Sequence, residues 1–170
     1  MPELLIASPL APFPHVFGEA TRAVAADFLK STCGLHYQEQ TKNTEEVAGI
    51  MATISFGGQQ SWALSLVLPN HTAEALAESF AGFPILRDSP DMGDVIGEIV
   101  NVIAGGICAR LAAQGINAQM SLPTVVRGED VSVLAQSGAA TKWIGFSGAI
   151  GTCSFKLVTA RVFEPGHHPF

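Results

Sequence analysis

The sequence predicts an α+β fold, an internally duplicated helix-plus-strands unit whose mainly antiparallel sheet packs against two long helices. Three observations predict it. Two segments, about His15 to Thr32 and Asp91 to Gln114, repeat apolar residues at helical spacing. Short stretches of alternating apolar and polar residues follow each of them. The two halves also carry similar residues in the same order.

Residues 1–14 read as an extended arm, because Pro9, Pro12 and Pro14 cannot share a helix interior. In the first helix Phe17, Ala20, Val24 and Phe28 recur at three- and four-residue steps, and Cys33-Gly34 stops it. Strands are expected over Leu35 to Gln40 and Val47 to Phe56, where Ala52, Ile54 and Phe56 alternate with Thr53 and Ser55. Gly57-Gly58 supplies a turn. Trp62, Leu64, Leu66 and Leu68 mark the next strand, which Pro69 ends. A short helix fits Thr72 to Phe80. The long second helix can be capped by Ser89 or Asp91, with Asp91 and Asp94 favoured by its dipole, and Gly115 ends it. Further strands are expected over Ile116 to Met120, Val131 to Ala135, Lys142 to Ser147 and Cys153 to Phe163.

The duplication rests on four matches in one order. Gly18 to Ala25 aligns with Gly97 to Ala104, both reading G-E-x-x-[RN]-x-[VI]-A. Each helix then meets a glycine, Gly34 or Gly115. Ile54-Ser55-Phe56-Gly57-Gly58 aligns with Ile144 to Gly148, and Leu64-Ser65-Leu66-Val67 with Phe155-Lys156-Leu157-Val158. The chain therefore reads as a single domain over residues 1–170, with a first repeat over 15–69 and a second over 91–163.

Composition narrows the function. The 170 residues are 48% hydrophobic and 14% charged, enough to bury a core. A formal net charge of −6 repels phosphate backbones and argues against nucleic acid as a partner. No uninterrupted apolar run reaches the roughly 18 residues of a membrane span. The N-terminus lacks the basic start of a secretory signal. Cys33, Cys108 and Cys153 form no CxxC pair and read as small buried hydrophobes in a reducing, cytoplasmic compartment. His167-His168 lacks partners at ligand spacing, so no metal site is expected. The chain has no G-x-S-x-G elbow, P-loop or H-E-x-x-H.

The candidate site lies on the second long helix. At about 100° per residue, Ile96, Ile99, Val100, Ile103 and Ile107 share one side, suited to docking on a sheet. Asp94, Glu98, Asn101 and Gly105 share the opposite side at four- and three-residue steps, so a carboxylate and a carboxamide are surface neighbours. Gly105 and Gly106 each cost roughly 1 kcal/mol against alanine in a helix interior. Close approach of a partner would explain that cost, and so would a close crossing of the two long helices. A plain solvated face is the unspecific alternative.

Asp94-x-x-x-Glu98-x-x-Asn101, followed by Val102-Ile103-Ala104-Gly105, resembles the signature helix of the CheC/CheX phosphatases of bacterial chemotaxis. Pro123 fits the proline that follows some twenty residues on, and Leu10-Ala11-Pro12-Phe13 is similar to the family's entry into the first helix. The resemblance runs from about Pro12 to Phe163. Gly106 departs from it, where many relatives carry asparagine. In the first helix Glu19 is present, but Arg22 stands where a second site would need asparagine. A guanidinium has no acceptor with which to orient water, so one site per chain is expected, as in the CheX subtype.

The resemblance implies hydrolysis of the aspartyl phosphate of a CheY-like receiver domain. Asn101 would orient water and Glu98 would engage the receiver's active-site lysine. Asp94 and Gly105 would adjoin the partner. The Mg2+ would sit on the receiver, with no metal or cofactor bound by this chain. A homodimer is implied; no membrane partner is expected, because no apolar run is long enough to span a bilayer. A non-catalytic receiver-binding or scaffolding module of the same fold is the alternative.

Overall fold

The computed structural model describes residues 13–39 and 47–159. The expected arm falls outside them except for Phe13 and Pro14, as do His167-His168 and the expected strand beyond Thr159. Helix α1 (His15–Cys33) leads to β1 (His36–Gln38), and β2 (Val47–Gly58) forms a hairpin with β3 (Trp62–Pro69). Helices α2 (Asn70–Ala81) and α3 (Pro90–Ala112) follow, then β4 (Ala118–Met120), β5 (Thr124–Val131), β6 (Thr141–Gly148) and β7 (Gly151–Thr159). The chain leaves α1 through Gly34, whose φ of 72° suits a residue without Cβ, and Leu35 N–H closes the turn on the Leu29 carbonyl at 3.3 Å.

One seven-stranded sheet runs β1-β6-β7-β3-β2-β4, with β5 also on β2, and every pairing among the described residues is antiparallel. If β1 corresponds to β4, β2 to β6 and β3 to β7, the order reads the same from either edge. At its centre Ser65 pairs with Lys156, the two residues that the sequence repeat matches. A pseudo-twofold axis thus passes through that pair, and the duplication is built into the sheet.

The face of the sheet toward the helices carries Ile54, Phe56, Leu64, Leu66, Ile144, Phe146, Phe155 and Leu157, all fully buried. Each such side chain contributes roughly 1.5–3 kcal/mol. Phe17 of α1 stacks on Trp62 at 5.1 Å, and Trp62 stacks on Phe56 at 4.0 Å, which fastens α1 to the β2–β3 hairpin.

Two expectations are corrected. Gly57-Gly58 extends β2, and the turn falls over residues 59–61. The strand expected over Val131–Ala135 is instead Thr124–Val131. This strand lies outermost on β2, and its exposed face together with Gly128, Glu129 and Asp130 breaks the apolar alternation. Beyond Val131 the chain crosses the sheet's other face as a strap. There Lys156 Nζ donates to the Val133 carbonyl at 2.5 Å and lies 5.1 Å from the Trp143 ring centroid. Burial lowers the pKa of that lysine.

Candidate functional site

Helix α3 divides as its periodicity requires. Met92, Ile96, Ile99, Val100, Ile103, Ile107 and Leu111 are fully buried, and the opposite arc faces outward. By length and composition α3 could cross a membrane, yet this apolar arc is packed inside the molecule, as a core helix requires. Pro90 takes the first helical position and Asp91 the first turn, where a carboxylate meets the positive end of the dipole. Ser89 occupies the cap position, but its hydroxyl donates back to the Leu86 carbonyl at 2.8 Å. The expected side-chain cap is therefore absent.

Asp94 and Glu98 are exposed, while Asn101 and Gly105 are half-buried on the same strip. Among the described residues, the side chains of Asp94, Glu98 and Asn101 have no hydrogen-bond or ion-pair partner. A carboxylate and a carboxamide one helical turn apart thus present free acceptors and donors outward.

Walls stand on both sides of the strip. A Cβ added at Gly106 would lie 2.8 Å from Val24 Cγ1, so this glycine permits α1 to cross closely. A Cβ added at Gly105 would meet nothing within 4 Å, so packing inside this chain does not require that glycine. The opposite wall is the β4–β5 corner. A Cβ at Gly97 would touch Val125 Cγ2 at 3.6 Å and Pro123 Cγ at 3.7 Å. Asn101 lies one turn on from Gly97, about 40° round the helix, and so faces that wall. The corner is held by Ser121, whose N–H donates to the Ser55 carbonyl at 2.9 Å and whose hydroxyl accepts from Ser55 N–H at 3.0 Å. Sequence reading singled out Pro123 but gave no sign of Ser121 or Leu122, since neither lies on a periodic face.

The equivalent place on α1 is differently filled. Arg22 Nη2 lies 2.7 Å from Glu19 Oε2, and its guanidinium carbon is 5.4 Å from the Tyr37 ring centroid. The hydrogen bond from Arg22 holds the Glu19 carboxyl below its ordinary range. Glu19 is thereby tied to its neighbour on the helix, where Glu98 is free. Among the described residues no group of three His, Cys, Asp or Glu side chains is placed to hold a metal ion.

Residues 50–147 match the family described as chemotaxis phosphatase CheX. No curated protein matches the sequence. The fold is similar to the chemotaxis protein CheX from Vibrio vulnificus, at 22% identity and a TM-score of 0.75, covering 85% of this chain and 99% of that one. It is similar to a CheC-like superfamily protein from Shewanella sp. PV-4, at 17% identity and a TM-score of 0.72, covering 87% and 99%. It is also similar to a chain of the CheX-CheY-BeF3-Mg2+ complex from Borrelia burgdorferi, at 18% identity and a TM-score of 0.68, covering 86% and 98%.

Proposed function

The chain belongs to the chemotaxis phosphatase CheX family, and from that membership we propose that it hydrolyses the aspartyl phosphate of a CheY-like receiver domain, with Asn101 and Glu98 as its catalytic pair. The observation that carries the assignment is the contrast between the two helices. Glu98 and Asn101 stand outward and unpartnered on α3, while the matching pair on α1 is closed on itself at 2.7 Å.

An acyl phosphate is already activated, so a catalyst gains most by placing water in line with the leaving oxygen and holding the developing charge. The Asn101 carboxamide suits both tasks. Its carbonyl accepts a hydrogen bond from the attacking water, and its N–H donates to a phosphoryl oxygen. The water oxygen bonds to phosphorus as the bond from phosphorus to the aspartyl oxygen breaks. The aspartate leaves as a carboxylate, inorganic phosphate forms, and the proton passes to phosphate or solvent. Glu98 offers a carboxylate to a cation beside the phosphoryl group, which in a receiver is its active-site lysine. Mg2+ would be held by the receiver. Asp94 and Gly105 adjoin the docked partner. On this reading the protein works in the cytoplasm as a homodimer, whose mass light scattering measures.

The test follows radiolabelled phosphate on a CheY-type receiver with Mg2+. Wild-type protein should speed its loss, and Asn101→Ala and Glu98→Ala should abolish the gain while remaining folded. Unchanged decay for receivers that bind would leave a docking module without turnover.

A further inference from the structure

Beside the catalytic strip, the β4–β5 corner exposes apolar surface that the chemistry does not use. Leu122 is 87% exposed and Met120 38%. Their position follows from register. Met120 pairs with Phe56, a core residue, so it lies on the helix-facing side of the sheet edge. Three residues on, Pro123 packs against Gly97. The intervening segment therefore runs alongside the turn of α3 that carries Asn101. Nor is Leu122 on a loose loop. Ser121 is fastened to Ser55 by two hydrogen bonds, and its hydroxyl also donates to the Leu122 carbonyl at 2.9 Å.

We propose that Leu122, with Met120 beside it, is the apolar anchor on which the receiver domain docks to deliver its phosphoryl group to Asn101. The inference rests on the phosphatase reading, because that reading supplies the occupant. A phosphoryl group carried by a protein reaches Asn101 only if that protein covers the surface around it. Specific protein contacts bury about 800 Å² on each partner, a footprint far wider than one helical turn. A residue on the wall that Asn101 faces falls inside it. Binding energy concentrates in a few residues that become fully desolvated near the centre of such a contact, and an apolar side chain gains most when it passes from full exposure to burial. The strip itself supplies charge through Asp94 and Glu98, and Leu122 and Met120 supply the apolar part beside it. Leu122 thus sets affinity and choice of receiver and takes no part in the chemistry.

The test uses CheY-type receivers held in their phosphorylated form by beryllofluoride and Mg2+, titrated with wild-type protein, Leu122→Ala and Leu122→Asp. Leu122 is so exposed that both variants should fold, which melting curves check. The expected result is affinity weakened about tenfold or more by Leu122→Asp and less by Leu122→Ala, at unchanged mass in solution. Equal affinities for the three proteins would overturn the anchor. Unchanged affinity with a halved mass would overturn it too, and would assign the edge to a second copy of this chain. Loss of phosphoryl label is followed in parallel. If a receiver binds but wild-type protein does not speed that loss, the hydrolytic reading falls while the titration still decides the anchor. If no receiver binds, both fall.

Discussion

Arg22 stands on α1 where Asn101 stands on α3, and its Nη2 lies 2.7 Å from Glu19 Oε2. One substitution thus turns an outward pair into a closed one. With Arg22→Ala the Glu19 carboxyl loses the hydrogen bond that lowers its pKa and should titrate at higher pH, as carboxyl NMR shifts would show. Receiver dephosphorylation should stay within about twofold of wild type. Melting should change little, because exposed ion pairs contribute little. A large loss of activity would put α1 in the catalytic machinery.

Gly105 and Gly106 are neighbours in sequence with opposite expected responses. Alanine at Gly105 enters open space and should stabilise the helix by about 1 kcal/mol. Alanine at Gly106 meets Val24 Cγ1 at 2.8 Å, so Val24 or α1 must shift; that overpacking costs about 1–3 kcal/mol against the helix gain of about 1 kcal/mol, and stability should fall by up to about 2 kcal/mol. Urea unfolding of the two variants measures both signs. If Gly105→Ala is more stable yet weaker at dephosphorylation, the bare backbone there is kept for the partner. Full activity would remove Gly105 from the docking surface.

Sequence reading found α3 because an apolar arc as pure as Ile96, Ile99, Val100, Ile103 and Ile107 admits one orientation, which turns Glu98 and Asn101 outward. It found the duplication because the two halves repeat similar residues in one order, and Ser65 and Lys156, matched in that repeat, pair where β3 meets β7. It missed β5, since an edge strand containing Gly128, Glu129 and Asp130 is held by pairing with β2 and leaves no periodic trace. It placed a strand at Val131–Ala135, where the chain in fact follows the strap that Lys156 fastens through the Val133 carbonyl. The walls of the site, Pro123 against Gly97 and Val24 against Gly106, are contacts distant in sequence, and local pattern carries no information on them.

Ser121 is expected to hold the corner beside Asn101. Its hydroxyl is the acceptor for Ser55 N–H at 3.0 Å, and Ser121→Ala removes it. The N–H can turn to water at this exposed edge, so the loss should be about 0.5–1.5 kcal/mol in urea unfolding. Hydrogen exchange at Ser55 should rise more than exchange at Ile54. No change at Ser55 would mean that the backbone bond from Ser121 alone fixes the corner.

Cys153 makes the fold sensitive to alkali. Cys153 is 3% exposed, and burial pushes the pKa of its thiol far above the ordinary range. The unfolded chain loses that proton near pH 8.5, whereas the folded chain keeps it. A group whose pKa is raised on folding contributes stability that is present below its unfolded pKa and lost as pH climbs above it. Between pH 8.5 and pH 10 the loss from Cys153 comes to about 2 kcal/mol, at 1.36 kcal/mol for each pH unit. Burial raises the pKa of Cys33 and Cys108 as well, so they act in the same direction. Cys153→Ala leaves a small cavity and should be less stable than wild type at pH 7. Its further loss between pH 7 and pH 10 should nevertheless be smaller by about 2 kcal/mol, read from urea unfolding at the two pH values. Parallel losses in the two proteins would show that the thiol reaches solvent and ionises without unfolding the chain.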